Sequence, residues 1–383
     1  MAFDKRALAV ATAGFAAFVN LYSPQALLPQ LGHDFGVGAG QISTLMTAGT
    51  AAIALTAPFT GALADVLGRK RLISTAMFAV VAPTLIIMFA TSVPQLALWR
   101  FVQGLLLPPI FTVAVAYVGD EWPPREVPRV AGLFISGSSI GGFCGRFVTG
   151  AVADLAGWRM AFAAIAAITL AAAIVVTLAL PRERRFVRSG GFLVSVRQML
   201  DHLRNPKLLA IYAVGFGVLF NFIGAFTYVS FHLAGPPYFF SSTLLGAIFV
   251  TYLGGTFLVP WIGRVISLVG RRRLVLGVIA VWAIGALMLL APPVALIVAG
   301  LTVCATCGLV CQAISTGAVV TTAQAGRSSA AGLYASTFYI GGSAGASLDG
   351  LVWNAAGWDG CVAVIIAMLA VMALVVAFAW ERG

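Results

Sequence analysis

The sequence predicts an all-α membrane protein of twelve transmembrane helices, arranged as two similar six-helix halves. Hydrophobic residues make up 61% of the 383 positions, which is more apolar surface than a water-soluble domain of this size buries. Apolar runs of about 20 residues, each long enough to cross a bilayer, recur along the whole chain. The second half of the sequence also repeats the first at a nearly constant offset.

Twelve apolar runs define the expected spans. The first is too long for the apolar region of a secretory signal, and no small-residue cleavage motif follows it, so we interpret it as a retained span. The runs cover residues 7–31, 41–64, 71–91, 94–118, 128–151, 158–180, 207–232, 242–263, 274–291, 294–318, 329–353 and 358–380.

The repeat relates the two groups of six spans. "AGLFISGSSIGGFCGRFVTG" at 131–150 aligns without gaps with "AGLYASTFYIGGSAGASLDG" at 331–350, and both copies continue to "AGW". "GFAAFVN" at 14–20 aligns in the same way with "GFGVLFN" at 215–221. Because six spans return the chain to the same side, the copies are parallel. We expect a pseudo-two-fold axis along the membrane normal, with a site between the halves.

An arginine-rich segment separates the two groups of spans. We predict an N-terminal half at 1–180, a basic linker at 181–206 and a C-terminal half at 207–383. The formal net charge is +11, and 20 of the 23 Lys and Arg residues fall on one side if the N-terminus is cytoplasmic. This is the positive-inside distribution, so both termini are expected in the cytoplasm. We expect the membrane to be a bacterial-type inner membrane. The charge therefore reports topology, and nucleic acid is not an expected partner.

Cofactor and enzyme motifs give no positive signal. Cys304, Cys307 and Cys311 share one helical face, and the alternatives there are a soft-metal site or ordinary packing. We expect packing, with no metal and no cofactor. Neither a Walker-type nucleotide motif nor the HExxH metalloprotease motif occurs in the sequence, and we expect no enzyme.

A tight basic turn follows the second span. "GALADVLGRKRL" at 61–72 resembles the signature loop of the major facilitator superfamily, and "RFVQG" at 100–104 is similar to an element of its drug and sugar efflux members. The spacing most resembles the predicted arabinose-efflux-type permeases. In the fifth span, Arg146 follows Gly145 where those members usually have proline. The loop residues that match the signature are Gly61, Asp65, Gly68, Arg69 and Lys70.

The resemblance implies a function. It implies a monomeric secondary transporter that works by alternating access, with proton-coupled efflux of a small organic compound as the favoured direction. It further implies that Asp65 latches the two halves together in the outward-facing state, with the start of the eleventh span near Ser328 as its partner. The alternatives are uptake by proton symport or facilitated diffusion, a membrane enzyme or sensor on the same scaffold, and a non-transporting assembly partner.

Arg146 is a permanent cation inside an expected span. It lies 18 residues beyond Pro128, hence about 27 Å along the helix and in the outer third of the membrane. Facing lipid there is costly, so the side chain should face protein or water. The row Gly137, Gly141 and Gly145 favours close helix contact, and we expect this helix at the interface between the halves with Arg146 toward the cleft. The alternative is an arginine that extends to the outer headgroups.

Asp349 is the clearest acid within any span. The repeat equivalent of Arg146 is Ala346, and Asp349 lies one turn further outward, so the two opposite charges have similar depth on equivalent helices. We expect a charge pair that closes an outer gate, or an ion-coupling site at Asp349. The alternative puts Asp349 at the water interface.

Other polar side chains are expected in the cavity. Arg100 needs an interior role because an arginine in a span is costly, and the nearest acid by topology is Asp34. By resemblance, Arg100 couples binding to closure of the outer half, and the first, fourth, seventh and tenth spans line the cavity. Few deep acids, two arginines and several amides favour a neutral, amphipathic or anionic solute. We expect the repeat equivalents Asn20 and Asn221 to face the centre. The hydrogen-bonding groups on the four cavity-lining spans are Asn20, Gln25, Gln103, Asn221, His232 and Gln312.

Overall fold

The computed structural model describes residues 4–183, 192–258, 262–323 and 326–380. All regular secondary structure within those ranges is helical, as the sequence predicts. Eight continuous helical stretches are long and apolar enough to cross a membrane. Two of them are 53 residues long, and each contains one sharp turn, so each provides two spans. Two further apolar helical segments complete the twelve.

The spans are named by their order along the chain. The first to fourth are Lys5–Phe35, Ala39–Leu67, Arg69–Phe89 and Val93–Glu121, and Val127–Ala179 holds the fifth and sixth. The seventh is Pro206–Ala234, the tenth is Val294–Thr322, and Arg327–Ala379 holds the eleventh and twelfth. The described parts of the eighth are Ser242–Ile248, Phe249–Tyr252, Leu253–Leu258 and Ile262–Val269, and the ninth is Arg271–Met288. The predicted linker contains a helix, Phe192–His202.

Glycine turns divide the two long stretches. Gly157 has φ 83° and Gly357 has φ 63°, a backbone region that side-chain-bearing residues adopt at a cost. The two positions are repeat equivalents, and each precedes the tryptophan of an "AGW" triplet. The same residue therefore reverses the chain at the same place in both halves.

Proline interrupts the first span. The helix Lys5–Tyr22 ends there, a 3-10 turn covers Gln25–Leu27, and Leu28–Phe35 completes the crossing. Pro24 has no backbone N–H, so the carbonyl of Asn20, four residues earlier, loses its helical partner. A freed carbonyl in a membrane needs another donor, and this requirement determines much of the site described below.

Rows of glycine bring pairs of helices into backbone contact. A Cβ on Gly137, Gly141 or Gly145 would overlap the backbone of the first span at Ala11, Phe15 or Val19. In the other half, Gly341 and Gly345 lie in the same way against the backbone of the seventh span at Phe216 and Phe220. The glycine row thus makes a close helix contact, as expected, and its partner is the first span of the same half, because glycine lets the two backbones approach. The fifth span also lies at the interface between the halves, as expected, because Gly246 of the eighth span lies against its backbone at Arg146 and Phe147.

The two halves meet through a contact that occurs twice. Gly150, at the end of the fifth span, lies against the backbone of Ser242, where the eighth begins. Gly350, at the end of the eleventh, lies against the backbone of Gly40 near the start of the second. The two contacts join repeat-equivalent positions, as a pseudo-two-fold axis requires. They lie at the end of the bundle away from the termini, which we call the distal face. The opposite end, with Asp4 and Trp380, is the termini-side face.

Candidate functional site

Arg146 lies between the halves and is fully buried. Its Nη2 donates to the Tyr252 hydroxyl of the eighth span at 2.9 Å, and its Nε donates to Gln25 Oε1 in the first span at 2.8 Å. A third bond runs from Nη1 to the carbonyl of Gly142, one turn back on the same helix, at 2.8 Å. The guanidinium therefore does not extend to the headgroups. It bonds both halves at once.

Three aromatic rings enclose this guanidinium. Its central carbon lies 3.9 Å from the ring centre of Tyr22, 4.2 Å from that of Phe249 and 4.6 Å from that of Tyr252. Tyr22 belongs to one half, and Phe249 and Tyr252 belong to the other. Cation–π attraction is strong at such a buried position, because the charge is withdrawn from solvent. We call Arg146, Gln25, Tyr22, Phe249 and Tyr252 the arginine cage.

The broken first span is held from several sides. Beyond the Arg146 bond to Gln25, Thr149 of the fifth span donates to the Ser23 carbonyl at 2.7 Å. The amide of Gln25 donates across the boundary to Thr227 of the seventh span at 3.0 Å. The turn after Tyr22 thus connects the arginine cage to both halves.

Arg100 binds the same break from the other side. Its Nη1 donates to the Asn20 carbonyl at 2.8 Å, and its Nη2 donates to the Leu21 carbonyl at 2.6 Å. The first of these carbonyls is the one that Pro24 leaves without a helical donor. Gly49 of the second span makes room for the guanidinium, because a Cβ there would lie 3.0 Å from Nη2. Arg100 thereby stabilises the interruption in the first span.

Asn20 and Gln103 continue this network inside the N-terminal half. Gln103 accepts from Arg100 and donates to Asn20 Oδ1 at 2.8 Å and to Thr84 at 2.7 Å. Asn20 also donates to Thr169 of the sixth span at 2.8 Å. The prediction that Asn20 faces the centre is therefore wrong. Its side chain lies on the helix face toward the third and sixth spans, where threonine hydroxyls satisfy the buried amide.

Asn221 also lies away from the centre. Its amide donates to Met372 Sδ of the twelfth span at 3.6 Å, and the residue is fully buried within the C-terminal half. The expectation for this residue is wrong for the same reason as for Asn20. Equivalent helices present equivalent faces to their own half. Gln312, by contrast, is half-buried on the tenth span.

Asp349 is fully buried within the C-terminal half. Its carboxyl group lies against the seventh span at Gly224, where a Cβ would overlap Oδ2. Neither carboxyl oxygen has a hydrogen-bond partner among the described residues. The titratable groups nearest to it are Tyr228, which donates to the Ala346 carbonyl at 2.7 Å, and Cys361, whose Sγ is 3.4 Å from the Asp349 carbonyl oxygen.

The structure brings together neither of the expected charge pairs. Arg146 bonds to neutral groups, and Asp349 lies inside its own half rather than at the water interface. Arg100 bonds to carbonyls, while Asp34 is exposed with its Oδ1 3.5 Å from His33. The sequence did not show that these arginines bond to neutral acceptors, because the rotation of each helix about its own axis decides which groups meet.

The signature loop holds the termini-side face of the N-terminal half. Gly68 has φ 83° and joins the second span to the third. Arg69 pairs with Asp120 of the fourth span at 2.6 Å, and Asp65 lies beside that pair. The backbone N–H groups of Arg69 and Lys70 donate to Glu183 at 3.1 and 3.3 Å. Gly61 has open space around it. The latch role of Asp65 with Ser328 stays a prediction.

Sequence reasoning missed several residues that join the halves at the distal face. Asp154 accepts hydrogen bonds from the backbone N–H groups of Ser242 and Thr243 at 3.1 and 2.8 Å, which caps the start of the eighth span. Gln30 accepts from Ser242 Oγ at 3.3 Å. The sequence feature that could have identified Asp154 is the position of an acid at the end of an expected span. Nothing in the sequence distinguished Tyr252 or Phe249 from other aromatic residues.

Comparison with known proteins gives concordant results. The family model described as Major Facilitator Superfamily matches residues 10–258. The inner membrane transport protein YnfM of Escherichia coli (strain K12) is 32% identical over 378 residues, which cover 98% of this chain and 90% of that protein. The uncharacterized MFS-type transporter YybF of Bacillus subtilis (strain 168) is 29% identical over 373 residues, 96% of this chain and 92% of that protein. A bacterial homolog of the human lysosomal transporter Spinster, solved inward-facing and unoccupied, has a TM-score of 0.78 at 14% identity and matches over 100% of both chains.

Proposed function

Because this chain belongs to the major facilitator superfamily and is a multi-pass membrane transporter, we propose that it exports a small organic compound in exchange for protons by alternating access. The observation that carries this proposal is the arginine cage. It joins the halves near the distal face through one buried cation, and it must come apart when that face opens. Arg146 is then a latch in one state and an exposed cation in the other.

Aromatic rings beside the cage support an amphipathic substrate. Phe18 lies one turn from Tyr22 with ring centres 6.0 Å apart, and Phe111 of the fourth span follows at 5.9 Å. Tyr339 of the eleventh span continues the row at 6.0 Å. Phe18 and Phe111 are only half-buried, so these two rings offer apolar surface between the halves. Once released, Arg146 adds a positive charge, so an aromatic carboxylate combines the chemistry that both features recognise.

Asp349 is the proposed proton carrier. A buried carboxylate without hydrogen bonds is strongly disfavoured relative to the neutral acid, because nothing replaces its hydration. Movement of the eleventh span that admits water would release the proton, and reburial would require its return. This links proton binding to the same motion that opens and closes the halves.

The opposite state needs a latch at the termini-side face. The proposed latch is Asp65, at the end of the second span, acting on the start of the eleventh near Ser328. Gly332 of the eleventh span lies against Pro58, because a Cβ added to Gly332 would be only 3.2 Å from Pro58 Cα. The two spans are therefore already neighbours. We place both termini in the cytoplasm, since 20 of the 23 cations then lie on that side.

The test uses purified protein in liposomes that contain a pH-sensitive dye. Aromatic carboxylates, sugars and amphipathic cations are added in turn across a preset proton gradient. We expect one class, the aromatic carboxylates, to move protons in the direction opposite to substrate. Arg146→Gln should abolish this signal, and Arg129→Gln, at an exposed position, should keep it.

Three outcomes would contradict parts of the proposal. Proton movement in the same direction as substrate would show uptake by symport. Substrate flux without proton movement would show a facilitative carrier. Full proton-coupled flux in the Arg146→Gln variant would show that the arginine cage is not part of the transport cycle.

A further inference from the structure

We propose that the C-terminal half binds the phosphate headgroup of an anionic phospholipid at its termini-side face. The starting observation is a cavity of about 290 Å³ between the ends of the seventh, eighth, ninth, tenth and twelfth spans. Its lining includes Lys207, Arg271, Thr322 and Trp380. It lies apart from the arginine cage, and the inference does not depend on what the protein transports.

At three repeat-equivalent positions, the C-terminal half has neutral residues where the N-terminal half has acids. In the N-terminal half, Arg6 pairs with Asp4 at 3.2 Å and Arg69 pairs with Asp120 at 2.6 Å. The equivalent cations, Lys207 and Arg271, remain in the C-terminal half. The acids do not: the N-terminal half has Asp4, Asp65 and Asp120 where the C-terminal half has Asn205, Ser267 and Thr321.

The surroundings of Arg271 show the effect of a neutral residue in place of an acid. Its Nη1 lies 3.4 Å from Thr321 Oγ1, a hydroxyl in the place of a carboxylate. Its Nε has no partner among the described residues, although the atom is buried. A half-buried guanidinium with a neutral neighbour retains its full charge toward the cavity, and a phosphate oxygen would supply the missing acceptor.

Two helix ends add to the positive field. The seventh span begins at Pro206, and the ninth begins at Arg271 after Gly270. Both helices exceed 17 residues, so their N-termini favour an anion between them. In the N-terminal half, by contrast, the equivalent cations pair with Asp4 and Asp120.

The position of the cavity favours a lipid over a soluble anion. The helix ends that form it lie where apolar spans meet the headgroup layer, and Trp380 is the kind of amphipathic aromatic residue found at that depth. Basic pockets between spans at this level suit phospholipid headgroups. The apolar lining from Ile211 and Ile266 continues the site toward an acyl chain.

The experiment measures lipid binding by native mass spectrometry on the full chain. Phosphatidylglycerol is titrated against phosphatidylcholine, and inorganic phosphate is added in a separate series. We expect the protein to bind phosphatidylglycerol selectively. Arg271→Gln should weaken this binding about fivefold, because it removes one basic contact to an anionic lipid. Thr321→Asp keeps every cation but introduces a carboxylate at the position equivalent to Asp120. It should weaken phosphatidylglycerol binding at least as much as Arg271→Gln does. Arg273→Gln, exposed on the same helix and outside the cavity, is the matched control.

The thermal midpoint of each variant in phosphatidylcholine shows whether it folds. If Arg271→Gln does not fold, Thr321→Asp carries the test. Equal binding of the two lipids, or wild-type binding in both variants, would overturn the proposal. Displacement of phosphatidylglycerol by millimolar inorganic phosphate would identify the site as one for a soluble anion and would overturn the lipid assignment.

Discussion

Arg146 Nη2 donates to the Tyr252 hydroxyl at 2.9 Å, and this bond joins the fifth span of one half to the eighth span of the other. Both residues are buried, so no water competes for the bond. A cation held by a neutral hydroxyl and aromatic rings can be released without separating two opposite charges. Such a contact suits a gate that must open in every transport cycle.

Tyr252→Phe should open the distal face. The variant keeps the ring but removes a hydrogen bond to a charged group, typically worth about 1.5–3 kcal/mol. The equilibrium between closed and open states should therefore shift about tenfold or more. Spin labels at positions 41 and 244, in place of Gln41 and Leu244 and in a background without the native cysteines, would measure the distance across the distal face. In Tyr252→Phe, a larger share of molecules should show a long distance between the labels. Tyr238→Phe is the control, because its hydroxyl bonds to the Pro292 carbonyl within one half. An unchanged distance distribution in Tyr252→Phe would show that the bond does not hold the face closed.

Arg100→Gln should destabilise the fold. It removes the guanidinium bonds to the carbonyls of Asn20 and Leu21, of which the first keeps only the Ser23 hydroxyl as a side-chain donor, and we expect a loss of about 3 kcal/mol. The thermal unfolding midpoint in detergent should fall clearly, while Arg129→Gln leaves it unchanged. If the midpoint holds and only transport is lost, Arg100 acts in the transport cycle rather than as a support for the broken helix.

Asp349→Asn should uncouple transport without unfolding the protein. Asparagine has nearly the same shape, and the carboxyl oxygens have no described partners to lose. We expect a thermal midpoint equal to or above that of wild type, together with loss of substrate-driven proton movement in liposomes. Proton movement at the wild-type rate would exclude Asp349 as the proton carrier.

Gly345→Ala should separate the seventh and eleventh spans. The new Cβ would overlap the backbone carbonyl of Phe220, and such overpacking costs about 1–3 kcal/mol. Gly277→Ala, in the ninth span, is the control, since no atom of another helix in the described ranges lies within 4 Å of the new methyl carbon. There alanine should be neutral or slightly stabilising because it favours helix. Equal midpoints for the two variants would contradict the close backbone contact.

Much of the fold could be predicted because it depends on local properties of the chain. Hydropathy sets the length of each span, and glycines at 157 and 357 allow the reversals between spans. The interruption of the first span is local in the same sense, because it follows from the missing backbone N–H of Pro24. The direction of side chains was less predictable. Asn20 and Asn221 were expected at the centre, but each faces its own half, because a helical pattern of small and apolar residues does not show which neighbour covers which face.

By itself, the sequence determined the helical class, the number of spans, the repeat and the family, since these follow from composition, periodicity and motifs along one dimension. It also identified Arg146, Arg100 and Asp349 as costly groups that need an interior role. Only the tertiary structure decided their surroundings. Arg146 bonds to a tyrosine 106 residues away, Arg100 bonds to carbonyls freed by a proline, and Asp349 lies against Gly224. Those partners depend on how far each helix is rotated about its own axis. That rotation is determined by all the contacts of the helix together, which the sequence does not show.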